Sequence, residues 1–306
     1  MRAALLRQVG GPFDVVDVPD PDPEAGDSQV VVRIRAAGIN FADVLIRRGV
    51  YPQMPELPAV LGSEVAGELA DGTRVMALTS GGGGYAEQIA VDRALVVPLP
   101  DHASFAEGAS FLLTFLTAYI PLTRQVRVRP GATVLVYAAA GGVGTATIQI
   151  ARALGARVVA AAGSAEKLET CRTLGAEKAY VYDELPEDLQ ADVVFDPVGG
   201  ELFASSFARL RPLGTVIAIG SVGGAWGRVE PARLVGRNVA LAGFYLGRLM
   251  RLDPGLVREA LGELLDLWQT GAFAPVVGTE LPLDDVEQAH ELVQSRRSVG
   301  KVVLLP

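Results

Sequence analysis

The most constraining feature of the chain is the run from Thr133 to Leu154. A short apolar segment, Thr133–Ala138, ends in Ala138-Ala139-Ala140-Gly141-Gly142-Val143-Gly144. A helical stretch follows at once, from about Val143 to Leu154, and stops at Gly155. Glycines at such a junction allow a tight turn, close packing of helix on strand, and close approach of a ligand to the free N–H groups of the helix N-terminus. The chain beyond Gly155 has the alternation this unit demands. Short Val/Ile/Ala-rich segments at Arg157–Ala162, Ala179–Tyr182, Asp192–Asp196, Thr215–Gly220 and Val239–Phe244 read as strands buried on both faces. Between them lie a helix from Ser164 to Leu174, closed by Gly175, and another with Phe203, Phe207 and Leu210 at helical spacing. Six strands with intervening helices predict an α/β fold with a doubly wound parallel sheet.

A glycine loop between a buried strand and a helix is the fingerprint of a dinucleotide pyrophosphate site, although Ala139 stands where the first glycine is usual. The tip of the second strand selects the nucleotide. A site for NAD has Asp or Glu there for the ribose 2′-hydroxyl. This chain has Ala161-Ala162-Gly163-Ser164-Ala165-Glu166-Lys167, with small residues at the tip and an ammonium one turn on. Lys167 reads either as a partner of a 2′-phosphate or as a solvated helix lysine. Basic residues here are almost all arginine: Lys167, Lys178 and Lys301 are the only lysines. That scarcity favours the phosphate role, and the expected cofactor is NADPH.

The first part of the chain differs. Met1–Leu6, Asp14–Val18, Gln29–Arg35, Glu64–Leu69, Thr73–Leu78 and Tyr85–Val91 read as strands, with Asp71-Gly72 as a tight turn. The tail reads helix, helix, strand over Leu256–Gln269, Val286–Gln294 and Lys301–Leu305, and the last strand is positioned to return to the N-terminal sheet. Gly81–Gly84 reads as a mobile turn. A net charge of −8 without a basic stripe argues against nucleic acid. No apolar run is long enough to span a bilayer and Met1–Leu6 is too short for the apolar core of a signal segment, so a soluble cytoplasmic protein is expected. Cys171 is the only cysteine, which leaves no internal disulfide, and it reads as packing rather than nucleophile. His102 and His290 are the only histidines, and nothing in the sequence brings them together as metal ligands.

Gly38-Ile39-Asn40-Phe41-Ala42-Asp43, then Pro58-Ala59-Val60-Leu61-Gly62-Ser63-Glu64-Val65-Ala66-Gly67, then the Gly-Gly-Val-Gly loop and Gly300-Lys301-Val302-Val303-Leu304 resemble the medium-chain dehydrogenase/reductase superfamily. The match is nearest to its quinone oxidoreductase branch, which includes zeta-crystallin. The resemblance implies a mostly β GroES-like catalytic domain beside a Rossmann domain. The implied boundaries are residues 1–116 for the N-terminal part of the catalytic domain, 117–250 for the NADPH-binding domain, and 251–306 for the return. It also implies a departure from the zinc alcohol dehydrogenases. Asn40 stands at their ligand cysteine, Ser63 at the histidine before Glu64, and Leu113 near their third ligand. Such a set cannot rebuild a catalytic zinc site of the usual type, so no metal is expected. The link Leu69-Ala70-Asp71-Gly72-Thr73 is shorter than is usual in the family.

The resemblance further implies individual roles. Asn40 and Thr117 would line the nicotinamide end. Gly141, Gly142, Val143 and Gly144 would form the pyrophosphate loop. Gly163, Ser164, Lys167 and Tyr182 would surround the adenosine 2′-phosphate, with Arg296 closing that end. Ile219, Gly220 and Ser221, with Phe244, Tyr245 and Leu246, would bring backbone to the nicotinamide. Tyr51 would stand at the substrate cleft as a hydroxyl donor or an aromatic wall. Asn40 is the leading donor to a developing oxyanion, or else a turn-capping residue, and Asp43 is expected to buttress its loop. The implied activity is reduction of a quinone or another α,β-unsaturated carbonyl by hydride transfer. The alternatives are a 2-enoyl-thioester reductase and a non-enzymatic, crystallin-like NADPH-binding protein. A homodimer paired through the edge around Val239–Phe244 is expected, with a small-molecule substrate as the other partner.

Overall fold

The computed structural model describes residues 1–22, 28–79 and 81–306. The chain divides into two compact units, Met1–Leu113 with Pro275–Pro306, and Thr114–Ala274.

The second unit is built on six parallel strands. Their spatial order is Lys178–Val181, Arg157–Ala162, Thr133–Val136, Ala191–Asp196, Leu210–Ala218, Ala240–Gly243. This is the order 3-2-1-4-5-6 of a doubly wound dinucleotide-binding sheet, and it reverses between the first and fourth strands. Five of the strands lie within about two residues of the apolar runs that predicted them; the fifth in chain order, expected at Thr215–Gly220, instead runs Leu210–Ala218, and the four residues of Thr133–Val136 are all buried. A continuous core of Leu135, Tyr137, Val159, Val194, Phe203, Phe207 and Val216 lies against them.

The expected boundary after residue 250 is corrected here. The helix Pro254–Gln269 belongs with the second unit, and the return begins at Pro275. Two contacts explain this. Glu263 accepts from the Tyr119 hydroxyl at 2.6 Å and from Arg124 at 2.7 and 2.8 Å. Phe273 lies 4.8 Å from Phe115, ring to ring. The helix hides Val257, Ala260, Leu264 and Trp268, one apolar face at helical spacing.

In the first unit the main sheet runs Val277–Pro282, Lys301–Leu305, Gln29–Ile39, Glu64–Glu68, Arg74–Leu78, Val96–Pro98, and Gln88–Asp92 also pairs with Gln29–Ile39. The last strand does return to the first sheet, antiparallel, with Val302 opposite Ile39 and Leu304 opposite Ala37. Asp71-Gly72 forms the turn, with Gly72 at φ +83°. The strands Ala59–Val60, Val96–Pro98 and Val277–Pro282 have no foreseen counterpart; two are only two or three residues long, too short to show alternation.

Gly81–Gly84 also departs from expectation. Gly83 N–H donates to Val60 O at 2.8 Å, and Gly84 N–H to Gly62 O at 3.2 Å. Gly82 has φ +116°, and a Cβ on Gly83 would lie 2.9 Å from Ile89 Cδ1. The run is a pinned crossing of backbone on backbone, which explains the glycines better than mobility does.

His290 sits in this unit's core, 1% exposed, between Phe13 (4.6 Å) and Tyr85 (5.7 Å). Neither ring nitrogen has a hydrogen-bond partner among the described residues. Burial, with a smaller push from Arg47, depresses its pKa from 6.5 to about 3. The unfolded chain therefore takes up a proton below pH 6.5 that the folded chain refuses until about pH 3. The stability tied to neutral His290 is present above pH 6.5 and is lost as the pH falls, at about 1.4 kcal/mol per unit. Urea denaturation of wild type and His290→Leu across pH 7 to about 4.5 should show a shallower acid decline in the variant. Parallel declines would mean that His290 titrates normally in the folded state.

Candidate active site

The carboxyl ends of the parallel strands carry most of the expected residues of the second unit. The helix Gly142–Ala153 starts from Gly141 as N-cap. Its ladder opens with Thr145 N–H donating to Gly141 O at 2.8 Å, so the N–H groups of Gly142, Val143 and Gly144 precede it. Gly144 is where the helix meets the strand. A Cβ there would overlap the Ala138 carbonyl oxygen and lie 2.7 Å from Ala139 Cα. The loop itself is held by Gly141 N–H to Ala138 O at 2.9 Å and Ala139 N–H to Ala161 O at 3.0 Å.

At the next strand tip Gly163 is exposed, and a Cβ there would meet only Tyr182 Cε2, at 3.9 Å. Ser164 precedes the 3-10 turn Ala165–Lys167, which leads into the helix Leu168–Thr173. Lys167 is half-buried, and desolvation lowers its pKa. Glu166 is exposed; its carboxyl is held below the usual range chiefly by the Ser164 side chain. Tyr182 crosses to the glycine loop, and its hydroxyl oxygen accepts from Ala138 N–H at 3.0 Å. It thereby ties the third strand's tip to the first. Cys171 is buried, with its thiol pushed up to about 11 by desolvation, so it is a packing residue with little thiolate.

Beyond the point where the strand order reverses, two loops interlock. Asp196 ends the fourth strand; its Oδ1 accepts from Val198 N–H at 2.7 Å and Gly199 N–H at 3.0 Å. The turn so held accepts three bonds from the next loop: Ile219 N–H to Asp196 O, Val222 N–H to Pro197 O, and Gly223 N–H to Val198 O, at 2.8–3.1 Å. Ile219, Gly220 and Ser221 are thus fixed in place by a carboxylate that sequence reading passed over. Phe244 joins them through its N–H to Ala218 O at 3.0 Å, and Tyr245 starts the helix Leu246–Leu252. Thr117 is nearly buried within the helix Leu112–Ile120.

In the first unit Asn40 caps the helix Phe41–Arg47 and is 6% exposed. Three neighbouring strands bring a polar cluster to it. Glu64 opens its strand opposite Gly38, and Lys301 opens the last strand, beside the register of Val302 with Ile39. Lys301 Nζ donates to Glu64 Oε1 at 2.6 Å and to Asn40 Oδ1 at 2.7 Å. Asn40 Nδ2 donates to Glu64 Oε1 at 3.2 Å and reaches Gly38 O at 3.5 Å. Glu64 Oε2 accepts from Leu113 N–H at 3.1 Å.

A second carboxylate lies beside this cluster. Asp43 Oδ2 accepts from Asn40 N–H at 2.8 Å and the Tyr85 hydroxyl at 2.9 Å, and Oδ1 from the Ser63 hydroxyl at 3.2 Å. Desolvation raises the Asp43 pKa against those three donors, and burial beside Asp43 raises that of Tyr85 well above the usual value. Asp43 thus braces the Asn40 loop. Tyr51 is half-buried in a loop, and Arg296 is exposed at φ +58° just past the helix Val286–Gln294.

Neither Lys301 nor Glu64 was singled out from the sequence as a site residue. The available signal was Lys301 itself, one of three lysines and set in an apolar strand. Among the described residues no three His, Cys, Asp or Glu side chains are grouped to hold a metal, and no helix is long and apolar enough to cross a membrane.

Comparison with known proteins adds to this geometry. Residues 142–266 match the family model described as zinc-binding dehydrogenase, and residues 26–101 match that of the alcohol dehydrogenase GroES-like domain. The quinone oxidoreductase-like protein 2 homolog of Nematostella vectensis is 32% identical, over 99% of this chain and 88% of its own. The synaptic vesicle membrane protein VAT-1 homolog of Rattus norvegicus is also 32% identical, over 100% of this chain and 84% of its own. The solved quinone oxidoreductase of Thermus thermophilus, described also in its complex with NADPH, superposes with a TM-score of 0.91 at 40% identity over 100% of both chains.

Proposed function

Because the chain belongs to the medium-chain dehydrogenase/reductase superfamily of oxidoreductases, with quinone oxidoreductase-like relatives, we propose that it reduces a quinone or another α,β-unsaturated carbonyl with NADPH and without zinc. The observation that carries the reading is the second strand's tip. It has no carboxylate for a ribose 2′-hydroxyl, and Lys167 stands one turn beyond the exposed Gly163. The residues fit the cofactor. The N–H groups of Gly142, Val143 and Gly144, which precede the helix's hydrogen-bond ladder, suit a pyrophosphate, and Gly144 lets the helix come close enough to present them.

Bound NADPH would supply the hydride. The protein's part is to position and to stabilise charge. The loop Ile219–Ser221, held by the Asp196 turn, and Phe244–Leu246 present backbone at the strand ends. Thr117, Asn40 and Tyr51 are assigned to the nicotinamide end and the acceptor, and Tyr182 and Arg296 with Lys167 to the phosphate. Zinc independence is supported by the occupation of the relevant side chains. The Asn40 amide is engaged by Lys301 and Glu64, and the Ser63 hydroxyl by Asp43. Elemental analysis should find no stoichiometric zinc, and chelation should leave turnover unchanged; zinc whose removal abolishes activity would contradict this.

Turnover with NADPH separates the readings. 1,2-Naphthoquinone or a simple enone should be reduced. Preference for an enoyl thioester would favour the thioester reductase, and binding without turnover of any of the three would favour a non-enzymatic role. A homodimer is also proposed. The strand Ala240–Gly243 is the sheet's outer edge, Leu241 is 39% exposed on it, and Trp226 and Leu252 are exposed nearby around an apolar hollow of about 780 Å³. Sedimentation of a monomer at micromolar concentration would count against it.

A further inference from the structure

We propose that Lys301 is a positioning residue for the candidate site, acting through Asn40: its buried ammonium, anchored by Glu64, sets the plane and direction of the Asn40 amide. An ammonium only donates, so the amide atom 2.7 Å from Nζ must be the oxygen. That contact decides an orientation that Asn otherwise leaves open. With Oδ1 turned to Lys301, one amide hydrogen goes to Glu64 Oε1 at 3.2 Å. The other has, among the described residues, only the weak contact with Gly38 O at 3.5 Å, the limit of a hydrogen bond. This second hydrogen is the one that Asn40 has to give to a ligand, and Lys301 determines where it points.

The cluster is built to hold that arrangement. Lys301 is 4% exposed and Glu64 is fully buried. Glu64 is held in turn by Leu113 N–H, and Asn40 by its own N–H on Asp43. Asn40 has little freedom left apart from rotation of its amide, which is the motion the ammonium blocks.

The proposal rests on the reading of Asn40 as a ligand-facing residue, so its test has one arm that needs no turnover. Asn40 and Asn238 are the only asparagines. Protein labelled with nitrogen-15 in asparagine alone should show two side-chain amide pairs, and Asn238→Gly, at a left-handed helix end, identifies the second. The Asn40 pair should exchange slowly with solvent. In the double variant Lys301→Met/Glu64→Gln, which removes both members of the ion pair together, that protection should collapse while NADPH still binds. Unchanged Asn40 exchange would overturn the proposal, whether or not the wild type reduces any acceptor.

The second arm uses turnover. The double variant should lose roughly 10- to 100-fold in kcat, as misplacement of a positioned group does, with KM for NADPH unchanged. In an Asn40→Ala background the same double change should add no further loss. Additive losses would show that Lys301 acts on the fold and not through Asn40.

Discussion

Gly144→Val should weaken NADPH binding by roughly two orders of magnitude or more while leaving the chain folded. The new Cβ would overlap the Ala138 carbonyl oxygen, which cannot retreat because Gly141 N–H is bonded to it and the strand behind it is buried. The helix Gly142–Ala153 must then move away from the strand at its N-terminal end. Overpacking of this kind costs about 1–3 kcal/mol of stability. The effect on binding is larger. The N–H groups of Gly142, Val143 and Gly144 would no longer sit where the pyrophosphate needs them, and each hydrogen bond to a charged group contributes about 1.5–3 kcal/mol. Losing two of them weakens binding roughly 100-fold to 10,000-fold. Gly262→Ala is the matched control. It lies in the interior of the helix Pro254–Gln269, its Cβ would touch nothing within 4 Å, and it should bind normally with equal or greater stability. Circular dichroism with cofactor titration checks both. NADPH binding by Gly144→Val at near wild-type strength would remove the loop from the cofactor site.

The second unit was legible in the sequence because its inner strands Thr133–Val136, Arg157–Ala162 and Ala191–Asp196 are buried almost throughout and read as unbroken apolar runs, and the others are apolar enough to follow the same alternation. Arg157–Ala162 has the same bounds in the sequence and in the structure. Its glycine loop sits at a fixed place between strand and helix, so local pattern and tertiary role coincide. The first unit was legible only in its longer strands. Ala59–Val60 and Val96–Pro98 are defined by their partners and leave no periodic trace. The domain boundary was misplaced because the helix Pro254–Gln269 reads the same whichever unit its apolar face covers. Only the Phe273 ring on Phe115 and Glu263 on Tyr119 and Arg124 show which.

The polar cluster was the least visible part. Glu64 lies 24 residues from Asn40 and 237 from Lys301, and strand pairing alone brings the three together. Asp196 was hidden for a different reason. Its carboxylate acts on the backbone of its own turn, and that turn, not the side chain, reaches Ile219–Ser221.

Selection of NADPH over NADH is the central claim, and it rests on Lys167. The strand tip Ala162-Gly163-Ser164 offers no acid to hold a free 2′-hydroxyl or to repel a phosphate there. The carboxylate nearest in sequence, Glu166, is exposed and engaged with Ser164. Lys167 is half-buried and desolvation lowers its pKa, and a phosphate beside it would favour its charged form. A hydrogen bond to a charged group contributes about 1.5–3 kcal/mol, so Lys167→Ala should weaken NADPH binding roughly 10- to 100-fold. NADH has no phosphate there, and its affinity should hardly change. The most direct measurement is fluorescence titration of NADPH and NADH into wild type and Lys167→Ala. Wild type should prefer NADPH, and the substitution should erase most of that preference by weakening NADPH alone. A wild type that prefers NADH, or a substitution that weakens both cofactors equally, would contradict the claim.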